Sequence, residues 1–334
     1  MRCRMHVILA LTAGLTAGFL GGCGERHDEP EAARGVRDCG VTVPTDDPPR
    51  RVFAVFQNGI EMAHALGLSG RLAGTSYIDN PVLPRFAAAQ RRTRYYPEIP
   101  GLEELVKLRT DFVISGYNAY TPEQLGSRAR LRSAGIGSWL SGTMCVGRDG
   151  QGQADLAVRD VTMDTVYADL RGLGRVFHVP GRAEAVIAGM RAKLAKVRQR
   201  LRGVTHRPRV ALVRFRPNGI VVLGKDDIAQ QVIELAGGTN VFSDVRGRLT
   251  AVSEETLIDR DPEVIVDVTC CGPDVTTAAA RPDLRRLRAS RALASISAVR
   301  NDRLHAMTFA DTSAGVRSAD AVATLAGILH PSAD

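Results

Sequence analysis

The chain has none of the short signatures that a hydrolase, a zinc protease or a nucleotide enzyme needs. It contains no Gly-x-Ser-x-Gly elbow, no His-Glu-x-x-His and no Gly-Lys-Ser/Thr; Gly224-Lys225 is followed by Asp226. Histidine is sparse, and His27, His64, His178, His206, His305 and His330 are scattered rather than gathered into a loop that could hold a bare metal ion. No Cys-x-x-Cys is present either, so neither a metal site nor catalysis is expected. His64 lies in an apolar helical stretch and reads as a packed or hydrogen-bonded side chain. Charge of one sign forms no block and no nucleic-acid module is visible, which removes nucleic acid as a partner. The longest apolar run, Val7 to Leu20, is 14 residues, short of the roughly 20 needed to span a bilayer.

That run has the length of a signal-peptide core, preceded by Arg2 and Arg4. Leu20-Gly21-Gly22-Cys23 resembles the bacterial lipobox, in which the cysteine sulfur takes a lipid. Residues 1–22 are therefore expected to be a lipoprotein signal peptide and Cys23 the lipidated residue. The body would be held at the extracytoplasmic face of the cell membrane. Removal of that segment takes the net charge from +8 to +6, since it carries two arginines and no acid. The remaining 312 residues suit two lobes, and a moderately basic body suits an anionic ligand. Four cysteines remain: Cys39, Cys145, Cys270 and Cys271. They allow three pairings in an oxidising compartment. Cys39–Cys145 is favoured, tying the N-terminal strand to the far side of the first lobe; Cys270-Cys271 is either a vicinal disulfide or a free pair.

Residues 23–48, polar and rich in Asp, Glu and Pro, read as a flexible tether. An N-terminal α/β lobe is expected over 49–160, a helical linker over 161–205 and a C-terminal α/β lobe over 206–334. Arg51–Phe56, Leu72–Thr75, Asp111–Ser115, Arg209–Val213 and Val264–Val268 read as buried strands. Asn58 and Glu61 have the spacing of a helix cap with its reciprocal acid. Helices are also expected around Leu102–Leu108, from Thr121-Pro122-Glu123 onward and from Asp227 to Leu235. Between Arg182 and about Arg202, Val186, Met190, Leu194, Val197 and Leu201 form one stripe of a helix. At 1.5 Å per residue that helix spans roughly 31 Å. Strand–helix alternation on both sides of it indicates an α/β fold of two Rossmann-like lobes joined by a single long linker helix.

Four segments carry a family resemblance. Arg51-Val-Phe-Ala…Ala65-Leu-Gly-Leu-Ser-Gly-Arg-Leu-Ala-Gly74 resembles the opening of class III substrate-binding proteins of ABC importers. Leu102-Glu-Glu-Leu-Val-Lys-Leu-Arg-Thr-Asp111, Val252-Ser-Glu-Glu-Thr-Leu…Asp261-Pro-Glu-Val-Ile265 and Ala298-Val-Arg-Asn-Asp-Arg-Leu304 resemble later family segments, in order. Thr110 stands where the family usually has proline. The resemblance implies a binding protein, not an enzyme, acting as a monomer with an ABC importer permease and its ATPase. It also implies a metal chelate as ligand, most readily a ferric siderophore, with cobalamin or haem as family alternatives. A ligand-sensing lipoprotein without transport is a further alternative. Glu103 and Glu255 match the family's permease-docking carboxylates.

In such folds ligands meet the loops at the C-terminal ends of strands. Tyr77, Tyr95, Tyr96, Tyr117, Tyr120 and Trp139 concentrate the aromatic faces in the first lobe. Arg214 and Arg216, two apart on one side of a strand, and the pair Arg246 and Arg248 supply guanidinium groups from the second. The expected ligand set is Gln57, Asn58, Tyr77, Tyr117, Trp139, Arg214, Arg216 and Arg246.

Overall fold

The computed structural model describes residues 35–145, 161–216 and 219–331; Cys23 and the expected signal segment lie outside them. Two parallel-cored sheets form the two lobes. Before the first comes a hairpin, β1 (Gly35–Asp38) with β2 (Val41–Pro44), antiparallel with Val36 opposite Val43. The tether expected over 23–48 is thus corrected at Gly35–Pro44, which form this hairpin, while residues 23–34 lie outside the described residues. Alternate residues Val36 and Asp38 are buried, and Asp38 accepts from the Arg128 guanidinium at 2.6 Å and from Leu140 N at 2.9 Å. The Cys39–Cys145 disulfide closes the same attachment.

The first sheet contains β3 (Val52–Val55), β4 (Leu72–Ser76), β5 (Tyr95–Tyr96), β6 (Phe112–Ser115) and β7 (Gly137–Leu140), all parallel, in the order β5-β4-β3-β6-β7. β3 is buried on both faces, as its unbroken apolar run requires. Its helices are α1 (Gln57–Ala65), α2 (Pro84–Arg92), α3 (Leu102–Lys107) and α4 (Arg128–Ser133). Two expected helix starts are corrected. α1 begins at Gln57, so Asn58 and Glu61 lie inside it and cap nothing. Residues 121–125 form turns, and α4 starts later, capped by Ser127, whose hydroxyl accepts from Arg130 N at 3.1 Å.

The linker comprises two helices, α5 (Met163–Val176) and α6 (Pro180–Arg200). α6 is the long one, and its apolar stripe is met: Met190 and Val197 are buried, while Val186, Leu194 and Leu201 pack against the core. The second sheet contains β8 (Arg209–Arg216), β9 (Gly219–Leu223), β10 (Thr239–Asn240), β11 (Leu249–Val252), β12 (Val264–Thr269) and β13 (Leu304–Thr308). Its order is β11-β9-β8-β12-β13, with β10 also on β8 and with β9 and β11 antiparallel to their neighbours. Its helices are α7 (Ile228–Leu235), α8 (Glu254–Arg260), α9 (Arg281–Ala289), α10 (Ser297–Arg300) and α11 (Ser318–Leu329).

One apolar core runs through α1, α5, α6, α7 and α11 and reaches both sheets, so the lobes share it rather than meeting across water. A buried polar seam reinforces it. Arg317, just before α11, donates from Nε to Glu61 Oε2 at 2.9 Å, makes a second bond to Glu61 Oε1, and reaches Pro81 O at 3.0 Å and Asp311 at 3.3 Å. Asn80 donates to Thr269 O and Val275 O and accepts from Ala310 N, at 3.2, 2.8 and 2.9 Å. Asn58 donates to Gly116 O within its own lobe and to Ala314 O of the other, both at 3.0 Å. A side chain at Gly116 would collide with the Asn58 amide, so glycine is required there.

Removing one partner of a buried, fully hydrogen-bonded pair strands the other charge, at about 3–5 kcal/mol. Arg317→Met is accordingly expected to lower unfolding free energy by that amount in urea titrations. A loss below about 1 kcal/mol, the range of an exposed pair, would show that the seam does not hold the lobes together.

Candidate functional site

A cleft of about 230 Å³ opens between the lobes. Its walls come from the C-terminal ends of the parallel strands, where α/β sheets place ligands. In the first lobe β3 leads into Phe56 and Asn58, β4 into Tyr77 and Asp79, β6 into Gly116 and Tyr117, and β7 into Thr143 and Met144. In the second, β8 supplies Arg214 and Arg216, β12 leads to Cys271 and β13 to Phe309. Asp226 and Asp227 follow β9, and Arg248 precedes β11.

The two walls differ in chemistry. On the first-lobe side Phe56 meets Tyr77 at 4.7 Å and Tyr117 at 5.3 Å between ring centroids, a tilted aromatic cluster. Phe56 and Tyr77 both have positive φ, 63° and 61°, a conformation that costs a non-glycine residue about 1–3 kcal/mol and gathers at ligand sites. Tyr77 remains 45 % exposed despite its size, presenting a ring to the cleft. On the second-lobe side Arg214 lies 4.8 Å and Arg248 5.0 Å from the Phe309 ring centroid, and Arg248 also sits 5.4 Å from Tyr117. Arg248 Nε donates to Asp227 Oδ2 at 2.8 Å, which fixes it.

Of the expected ligand set, Asn58, Tyr77, Tyr117, Arg214 and Arg216 line the cleft, and three do not. Gln57 is buried; its amide nitrogen donates to Glu61 and its oxygen accepts from Asp79 N and Asn80 N at 3.1 and 3.3 Å, shaping the loop behind the wall. Trp139 is buried in β7 with its ring against Gly172 of α5. Arg246 is outside the lining, where Arg248 stands instead. β8 does continue far enough to set Arg214 and Arg216 on one side, opposite Val221 and Gly219. Phe56, Asp79 and Phe309 are among the lining residues that sequence reasoning passed over, while Arg248 was named as a guanidinium donor but left out of the expected set. Phe56 and Asp79 carried a usable signal, since Phe56 ends one recognised strand and Asp79 follows another.

Glu103 and Glu255 are exposed in the first turns of α3 and α8, one per lobe. The Ser253 hydroxyl beside Glu255 holds its carboxyl below the usual range. Cys39 and Cys145 form the expected disulfide, and Cys270 and Cys271 are joined across a cis peptide bond. His64 is packed on Phe86 and bonded to Ser69 and Gln90.

Burial pushes the Asp79 carboxyl up from 3.8 to about 6, against the pull of Arg248, Arg214 and Arg317. A carboxyl raised on folding contributes stability through its neutral form, fully present below pH 3.8 and lost as pH rises through about 6. Asp79→Asn cannot ionise, so its unfolding free energy relative to the parent is expected to rise across that window and level off above it. A difference independent of pH would refute the assignment.

Residues 52–310 match the family of periplasmic binding proteins. A vitamin B12-binding protein of Vibrio cholerae is 23% identical over 219 residues, which covers 65% of this chain and 70% of that one. A periplasmic binding protein of Veillonella parvula superposes with TM-score 0.75 at 20% identity, over 86% of this chain and 93% of that one. A protein of an ABC-type Fe3+-hydroxamate transport system from Saccharomonospora viridis gives 0.69 at 24% identity, over 88% and 97%. With two α/β lobes, a cleft at their strand ends and this match over most of its length, the chain belongs to the periplasmic binding protein family, a family of non-enzymatic solute-binding proteins.

Proposed function

We propose that the chain captures a ferric siderophore in the inter-lobe cleft and delivers it to an ABC importer permease while anchored to the membrane through lipid on Cys23. The observation that carries the ligand is the pairing of walls: Arg214 and Arg216 on one side of β8 face the cluster of Phe56, Tyr77 and Tyr117. Arg248 and Asp227 neutralise each other, which leaves the β8 arginines to meet the anionic oxygens of a chelate. The aromatic faces suit its flat, apolar flank. The Fe3+-hydroxamate relative supports this reading. Cobalamin is the second reading, favoured by the B12-binding relatives.

Calorimetric titration with a ferric hydroxamate, haem and cobalamin decides between them. Heat is the suitable readout, because Trp139 is buried and does not line the cleft. Ferric hydroxamate is expected to bind tightest, and Arg214→Ala or Arg216→Ala to weaken it about 10- to 100-fold, the loss of one charge-assisted bond. Tight cobalamin binding that both variants retain would reverse the order.

Delivery rests on Glu103 and Glu255, placed one per lobe at helix starts where a carboxylate is favoured. The double variant Glu103→Ala/Glu255→Ala is expected to abolish uptake of labelled chelate by cells while chelate affinity stays within about twofold, since neither residue lines the cleft. Uptake at the parental rate would remove the docking role. In the same cells Cys23→Ala is expected to move the protein from the membrane to the soluble extracytoplasmic fraction.

A further inference from the structure

The vicinal cysteines occupy a place that the chelate reading does not use. Cys271 lines the cleft and Cys270 lies behind it, with Sγ 3.6 Å from Asp79 Oδ1 of the opposite lobe. One donor atom from each of Asp79, Cys270 and Cys271 lies within 4.8 Å of the others. We infer that, when reduced, Cys270 and Cys271 together with Asp79 form a binding site for a thiophilic divalent cation on the cleft wall.

Three observations support this. The first is spacing. Around a tetrahedral ion with metal–sulfur bonds of about 2.3 Å and metal–oxygen bonds of about 2.1 Å, a sulfur and an oxygen stand about 3.6 Å apart. Cys270 Sγ and Asp79 Oδ1 already have that separation. The second is that the two segments are held together without help from the sulfurs. Gly272 N donates to Asp79 O at 2.9 Å, and the Asn80 amide donates to Thr269 O and Val275 O. Opening the disulfide therefore leaves the donors facing each other. The third is charge. Arg214 lies 3.6 Å from Cys271 Sγ, where a guanidinium favours thiolate over thiol. Two thiolates and a carboxylate balance a divalent cation plus Arg214. The exposed side of Cys271 gives an entry path and leaves the fourth coordination position open to the cleft.

The other sulfur pair makes no such site. Cys39 and Cys145 also lie near a carboxylate, but Asp38 is buried and committed to Arg128 and Leu140.

The chemistry balances with a phosphine as reductant. The phosphine attacks one sulfur, the S–S bond breaks, and water supplies the oxygen of the phosphine oxide and the two thiol protons. Cation binding then releases those two protons.

The test uses cadmium on the full-length chain with Cys3→Ser and Cys23→Ser, taken as the parent, and follows the thiolate-to-cadmium charge-transfer absorbance after phosphine reduction and its removal. Reduced parent and reduced Cys39→Ser/Cys145→Ser are expected to take up one equivalent with the band, and unreduced parent none. Cys270→Ser/Cys271→Ser should lose the band, and Asp79→Asn should bind at least about tenfold more weakly. A band that survives in Cys270→Ser/Cys271→Ser, or none in the reduced parent, overturns the inference. Both decisive samples carry Cys39 and Cys145, so the outcome does not hinge on folding of the other double variant. No chelate enters the experiment, so its failure and the failure of the siderophore reading are separable.

Discussion

Glu61 and Arg317 are 256 positions apart and both buried, and the relation of the two lobes depends on their bond. Neither charge is tolerable alone in that environment, so wherever the chain is folded the start of α11 is held against α1. Asn58, wedged against Gly116 and bonded to Ala314 O, and Asn80, bonded to three backbone groups of the second lobe, extend the same constraint to the cleft floor. With α6 packed along α11 and one apolar core shared by both lobes, large hinge opening would expose charge and apolar surface together. The walls of the cleft are thus fixed against each other before any ligand arrives, which lowers the ordering cost of binding.

The division of labour between the walls follows from strand chemistry. The first sheet ends in aromatic residues in left-handed backbone, presenting rings. The second ends in arginines on one side of β8 and on the approach to β11. Burial raises the affinity of Asp79 for its proton while three guanidinium groups oppose it, so the cleft contains a carboxyl whose charge state is sensitive to what binds beside it. Asp227 is bound by Arg248 Nε, and Asp226 accepts from the Gly247 amide.

The fold was largely legible because its strands are short apolar runs and its long helix carries a regular stripe. Both patterns are local. What was misread was governed from a distance. Asn58 and Glu61 have the separation of a cap and its reciprocal acid, but the same separation serves two side chains leaving one helix for polar partners elsewhere, and Arg317 is invisible to a local pattern. Trp139 was counted among the aromatic residues of a region, whereas its place in the edge strand β7, beside Ile114 and with its ring against Gly172 of α5, puts it in the core. Arg246 and Arg248 are two apart and of one type, and only the position of Asp227 distinguishes them. The hairpin over residues 35–44 was hidden by a polar composition that suits a tether equally well; its order comes from Arg128 and from the Cys39–Cys145 bond.

That hairpin also decides how force travels through the molecule. A pull on the chain ahead of Gly35 reaches the body through β1, and is carried by the Cys39–Cys145 bond and the Asp38–Arg128 pair into the strands and helices of the first lobe, and by β1 into α5. The second lobe receives it through the shared apolar core, α6 and the polar seam. Drag or thermal motion at the N-terminal end therefore turns the protein as a whole and leaves the width of the cleft unchanged.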